Sequence, residues 1–218
     1  MPTDYHRTVE KHRRWLGRLG LLDRPWFVLG AAPAPTIPPD IELFVRVDVN
    51  NSGRTAQELG LGRADLTFRS KKKSWDEHRT LDTEALLWIH DRPTWLARMM
   101  LARRPHRYVG SLRVMRRRIR EHAVVSESGV TPAEIGELGK VTNGVCAACY
   151  GLALGAPEIV LSGISLTKAG HSYDDQGRKR RQIEEDRFVL EALVRRGQVK
   201  TTEQDLHESV GLPMHETG

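Results

Sequence analysis

Two short runs with apolar centres, WFVL and IVL, constrain this chain most. Trp26 to Gly30 reads WFVLG, and Pro157 to Gly163 reads PEIVLSG. A strand with one wet face alternates polar and apolar residues, whereas a strand covered on both faces does not. Both runs therefore read as buried strands, the first of them the opening parallel strand of an α/β sheet. AAPAPTIPP follows the first run, with Pro33, Pro35, Pro38 and Pro39. No helix survives that density of proline, so the segment is a loop leaving a strand end. Further strands are expected at Ile41 to Val49, Arg63 to Phe68 and Gln198 to Thr201, and Leu81 to His90 holds another apolar run. Helical patterns occupy Thr55 to Leu59, Arg92 to Arg104, Thr142 to Leu154, Glu184 to Arg196 and Thr202 to Leu212. RVMRRRIR at Arg113 to Arg120 reads as a basic helix with Leu112, Met115 and Ile119 as its apolar stripe. In Glu184 to Arg196, residues Phe188, Val189, Leu190, Leu193 and Val194 are expected to face inward. Strands alternating with helices define an α/β fold with a mainly parallel sheet.

Composition narrows the class. With 218 residues, at about 150 residues per domain, the chain is one large domain or one domain with a small lobe. The expected division is a basic arm or short helix over residues 1–24 and a binding domain over 25–218. A hydrophobic share of 39% fills a sizeable core and excludes a disordered chain. The two cysteines, Cys146 and Cys149, exclude a disulfide framework and read as core packing. The net charge of +6 favours anionic partners without requiring nucleic acid, which is not expected to bind. No apolar run reaches the about 20 residues of a membrane span, and MPTDYHRTVEKHRRW is not a signal peptide. A cytoplasmic location follows as the expectation.

Four segments carry groups suited to chemistry. Gly30 and Ala31 stand at a strand's carboxyl end, where ligands of open α/β sheets collect. Asn50 and Asn51, in NNSG, offer donors and acceptors for a base edge or ribose, while Ser52 could equally cap a helix. Thr142, Asn143 and Gly144 open a helix of small residues whose free N–H groups suit a phosphate. Gly163 ends the second apolar run, and the loop beyond it crowds Lys168, His171, Ser172, Tyr173, Asp174 and Asp175 together, then RKRR at Arg178 to Arg181. That basic run, with RVMRRRIR, could meet an anionic membrane surface. No metal site is expected, and no dinucleotide or Walker glycine pattern is present.

VTNGVCAACYGLALGAPEIVLSGISL followed by AGHSYDD resembles the bacterial CMP-sialic-acid-dependent sialyltransferases of glycosyltransferase family 42. WFVLGAAPAP and DVNNSG fit the family's first strand and loop and its second-strand asparagine. The resemblance runs in order from Trp26 to Tyr173. It implies a single Rossmann-like domain of the GT-A-variant kind. It implies a metal-independent reaction with no cofactor and a CMP-activated acidic sugar as donor, of sialic acid or Kdo type. The acceptor would be a glycan or glycolipid. Asn50 or Asn51 would hold the nucleotide, and Thr142, Asn143 and Gly144 its phosphate or ribose. Tyr173 would steady the leaving phosphate, and His207, with His171 as rival, would be the base. The family's first loop usually reads Gly–Asn–Gly–Pro–Ser; with Ala31, Ala32 and Ala34 here, that donor contact is either lost or made by backbone alone.

The chemistry is consistent with such a transfer. Loss of CMP from a 2-keto sugar builds positive charge at the anomeric carbon, and a histidine can take the acceptor's proton. Donors at the helix start would stabilise the growing phosphate charge. Direct attack inverts the centre, whereas a two-step route would use Asp174 or Asp175 as nucleophile. Two other readings are a CMP- or sugar-phosphate-binding module without turnover and a basic nucleic-acid-binding domain.

Overall fold

The computed structural model describes residues 3–70, 75–78, 80–104, 107–131, 133–135, 139–168, 170 and 182–216. Seven strands are present among the described residues: β1 Trp26–Leu29, β2 Val45–Val49, β3 Ala64–Ser70, β4 Asp82–Ile89, β5 Tyr108–Met115, β6 Ile159–Ser162 and β7 Val199–Thr201. The helices are α1 Thr3–Gly17, α2 Ser52–Glu58, α3 Thr94–Ala102, α4 Arg117–Ser128, α5 Asn143–Leu154, α6 Ile183–Val194 and α7 Gln204–Val210. The strands form one sheet in the order β5-β4-β3-β2-β1-β6-β7, and each neighbouring pair is parallel.

Helices cover both faces, and β1 is apolar on both, whereas β2 and β3 set the buried Arg46, Asp48, Thr67 and Arg69 on the face opposite the larger core. Trp26 and Val28 of β1 point into the larger core, where α1, α4, α5 and α6 pack. Phe27 and Leu29 point to the opposite face, against Phe44 and Ala56. A third cluster under α3 gathers Trp75, Leu81, Leu86, Trp88, Ala97 and Leu112. α5 lies against the sheet with nearly every residue buried, so its composition shows no polar stripe. Small side chains permit that approach: a Cβ on Gly151 would meet the Trp26 ring at 2.7 Å. The N-terminal segment docks as a full helix. Tyr5, Val9, Trp15 and Leu16 join the main core, and His12 Nδ1 meets the Tyr150 hydroxyl at 2.7 Å.

Three local expectations are corrected. The second strand begins at Val45, because Ile41–Leu43 forms a 3-10 turn. RVMRRRIR is not one helix. Leu112 and Met115 enter cores on opposite faces of the sheet, as neighbours on a strand can and a helical stripe cannot. β5 pairs with β4 from Asp82↔Tyr108 to Ile89↔Met115, Arg116 turns extended at ψ 148, and α4 starts at Arg117. Pairing along a whole strand outweighs a three-residue spacing that fits either structure. In α6, Phe188 is 46% exposed, because the inward stripe is Asp186, Val189, Leu190 and Leu193. The buried Asp186 carboxylate accepts the Thr142 N–H at 2.7 Å and fixes that rotation.

Candidate functional site

All the strands of a parallel sheet end on one edge. Here the chain steps outward from β1 through β2, β3, β4 and β5, then returns to β6 on the other side of β1. The connection after β1 runs over one face and α6, after β6, covers the other. That reversal makes the β1–β6 boundary the topological switch point, where open α/β sheets bind ligands.

Two glycines floor it. Gly30 N–H donates to Ser162 O at 2.7 Å, and Ala32 N–H to Gly163 O at 2.6 Å. Gly163 has φ +58, and a Cβ there would lie 2.8 Å from Gly30 O. Only glycine combines that backbone with so close an approach. Ala31 is half-buried between these contacts.

The start of α5 stands beside this floor. Thr142 is its N-cap and makes no side-chain capping hydrogen bond, and among the described residues no side chain accepts from the first-turn N–H groups. Gly144 packs on Ile164, where a Cβ would come within 2.7 Å of Cδ1. Asn143 Nδ2 donates to Asn50 Oδ1 at 3.1 Å, which brings α5 and the end of β2 together. Asn50 holds a left-handed φ of 59, which asparagine tolerates better than most residues. Its Oδ1 also accepts the Ser70 N–H at 2.9 Å. Asn50 Nδ2 and Asn143 Oδ1 make no hydrogen bond among the described residues.

Asn51 is placed differently. It is fully buried, its Oδ1 accepts from Arg69 Nη1 at 2.7 Å, and its Nδ2 donates to Glu77 Oε2 at 2.5 Å. Arg69 also donates to Asn50 O at 2.9 Å. Asn51 therefore supports the turn that presents Asn50. Ser52 serves as a buried tie rather than a cap: its hydroxyl donates to Leu29 O at 2.7 Å and accepts the Val49 N–H at 2.8 Å.

The sequence did not single out Glu203. Only 1% exposed, it stands just beyond β7 and gathers three segments. Its Oε1 accepts from Gly163 N–H at 2.9 Å, Thr36 N–H at 3.0 Å and Ser162 Oγ at 3.3 Å, while Lys168 Nζ donates to Oε2 at 2.8 Å. Asp205 does similar work for the loop after β6, accepting from Ser165 Oγ at 2.5 Å and Thr167 Oγ1 at 3.1 Å. In sequence, TTEQD reads only as the approach to a short helix.

His207 lies one turn beyond Glu203 on α7, exposed, with Nδ1 2.8 Å from Leu212 O. Donation from Nδ1 leaves Nε2 as the free lone pair. No hydrogen bond joins it to Asn50 or Asn143 among the described residues. His171, Ser172, Tyr173, Asp174, Asp175 and Arg178 to Arg181 lie outside the described residues.

Other titratable groups near the edge serve the core. Burial pushes the Cys146 thiol up to about 11 and Cys149 further, as expected of packing residues. Burial, then Arg69 and Arg54, hold the His78 imidazole down at about 4. Burial raises the Asp48 carboxyl to about 6 despite Arg46 at 3.2 Å. Among the described residues, no group of three or more His, Cys, Asp or Glu is placed to hold a metal ion. No described helix is long and apolar enough to cross a membrane.

The architecture is thus that of a doubly wound, parallel α/β protein with amide side chains and a helix start at its switch point. Neither a family model nor a curated protein sequence matches the chain. Solved structures do. The sialyltransferase CstII from Campylobacter jejuni, in complex with the substrate analogue CMP-3FNeuAc, superposes with a TM-score of 0.58 at 14% identity, over 88% of this chain and 86% of that one. CstII with cytidine-5'-monophosphate gives 0.58 at 17% identity, over 87% and 84%. The monofunctional alpha-2,3-sialyltransferase Cst-I from Campylobacter jejuni gives 0.53 at 13%, over 89% and 83%. At these identities the likeness is one of fold.

Proposed function

We propose that this chain is a glycosyltransferase that moves an acidic 2-keto sugar, of sialic acid or Kdo type, from its CMP-activated donor to a hydroxyl of a glycan or glycolipid. The observation that carries this reading is the Asn143–Asn50 hydrogen bond, which sets the α5 start and the end of β2 side by side at the switch point. The likeness of fold to CstII, solved with CMP and with CMP-3FNeuAc, supports it.

In this reading Asn50 meets the cytidine side of the donor, over the backbone of Gly30, Ala31 and Gly163. Thr142, Asn143 and Gly144 meet the phosphate, whose growing charge the free N–H groups of α5 stabilise as CMP departs. Tyr173 and Ser172 complete the phosphate contacts. His207 is the base, because Nδ1 donation to Leu212 O leaves Nε2 free for the acceptor's proton. Direct attack inverts the anomeric centre. The reaction needs no metal, and the enzyme acts where its donor is made, in the cytoplasm or at the membrane's inner face.

The test is CMP release and sugar transfer from CMP-sialic acid and CMP-Kdo, with and without EDTA. Turnover is expected to survive EDTA and to fall at least tenfold in His207→Ala and Tyr173→Phe, while CMP affinity holds in His207→Ala. Loss in His171→Ala with His207→Ala unaffected would move the base. Binding of CMP without turnover of either donor would leave a binding module and remove the transferase reading.

A further inference from the structure

A polar cavity lies on the same carboxyl edge of the sheet, at β5 instead of β1. It measures about 190 Å³ and is lined by Asp4, Lys11 and His12 of α1, Thr94 of α3, and Arg113 and Arg116 of the β5–α4 junction. Strand spacing of about 4.8 Å puts β5, four strands from β1, about 19 Å from the switch point. None of these residues belongs to the site described above.

The charges in this cavity are unbalanced. Lys11, Arg113 and Arg116 face one carboxylate, Asp4, which already pairs with Arg118. Arg117, next in the chain, pairs outward with Glu121 at 3.2 Å. Arg113 donates Nη1 to Leu112 O at 3.0 Å and lies over the Trp15 ring, while its Nε is shielded from water and has no hydrogen-bond partner. Burial, then Arg98 and Arg18, hold the Arg113 pKa below its usual value, as crowded positive charge requires. His12 adds no charge near neutral pH, since burial, then Lys11 and Arg113, lower it to about 4. α3 and α4 begin at the cavity, with Thr94 and Arg116 on its wall, and neither start has a side-chain cap.

We infer that this cavity binds a small phosphate monoester, at a site separate from the nucleotide position. A dianion answers three cations that have one engaged acid between them, and two helix starts add to the same sign of potential. The volume is below the about 300–1,000 Å³ usual for drug-sized ligands, so a compact anion fits better than a second nucleotide. The same chemistry is found on soluble sugar phosphates and on phosphatidic acid headgroups. The recessed position between α1 and α4 favours the soluble source. The inference does not depend on the transferase reading.

The experiment titrates the full chain with inorganic phosphate and then glucose 6-phosphate, by calorimetry, with CMP present to occupy the other position. Binding is expected, weakened tenfold or more in Lys11→Gln/Arg116→Gln, whose two side chains are exposed and whose melting temperature should match wild type. Equal affinity in the double variant, or no phosphate binding in wild type, would overturn the inference. Arg113→Gln supplies an independent loss if it folds; the double variant carries the test if it does not. In a sedimentation arm, phosphatidic acid vesicles are expected to carry down wild type and the double variant to the same extent. Sedimentation of wild type but not of the double variant would overturn the soluble assignment in favour of a lipid headgroup.

Discussion

Single residues at the sheet edge are held by few, well-defined contacts, so their replacement has separable effects. Gly163→Ala forces a side chain onto a left-handed backbone and against Gly30 O. A loss of about 2 kcal/mol is expected in urea unfolding. Asn143→Ala removes one half-exposed amide bond and should cost under about 1 kcal/mol of stability, yet weaken CMP binding roughly tenfold. Calorimetry with CMP separates the two effects, and unchanged affinity would detach Asn143 from the nucleotide. The buried imidazoles set the acid limb. His12 and His78 sit at about 4 against an ordinary 6.5, so the stability they supply is complete above pH 6.5 and lost as pH falls toward 4. Asp48, raised from 3.8 to about 6, works in the opposite sense, because the folded state takes up its proton first. Two imidazoles outweigh one carboxyl. The urea midpoint should therefore fall between pH 6.5 and 4, and His78→Asn should flatten that fall.

At the scale of elements, Glu203 joins what the chain order keeps apart: the loop after β1, the end of β6 and the start of α7. Glu203→Ala strands the buried Gly163 N–H and leaves the Thr36 N–H without its acceptor, and should cost about 3 kcal/mol. Thermal unfolding measures the loss, and Glu203→Gln should recover part of it through its remaining carbonyl oxygen. The sequence disclosed elements with one dominant signal. WFVL and IVLS could only be doubly covered strands, and the small-residue run at Asn143 could only be a close-packed helix. β5 was hidden because Leu112, Met115 and Ile119 match a helical spacing, and its edge position leaves only a weak alternation. The turn at Asn50 was legible as a polar break, but not the separate duties of its two asparagines. Those depend on Arg69 and Glu77, which no local spacing connects to them. The role of Glu203 was invisible for the same reason, as the partners of its carboxylate are distant in the chain.

For the whole molecule, a nucleotide held by groups from β1, β2, α5 and β6 should tie the two halves of the sheet together. CMP at 100 times its Kd would add about 2.7 kcal/mol, a rise of roughly 5–10 °C in melting temperature for a chain of this size. Scanning calorimetry reads that shift, and its absence at millimolar CMP would count against the nucleotide reading. The strand order has a consequence for synthesis. Trp26 of β1 takes Val45 as one neighbour soon after it is made, but its other neighbour, Ile159, is added only late. Glu203 then clasps the junction from still further along the chain. A growing polypeptide therefore holds an open, apolar strand flank through most of translation. A nucleotide bound at this junction would brace the folded sheet and could not template the nascent one.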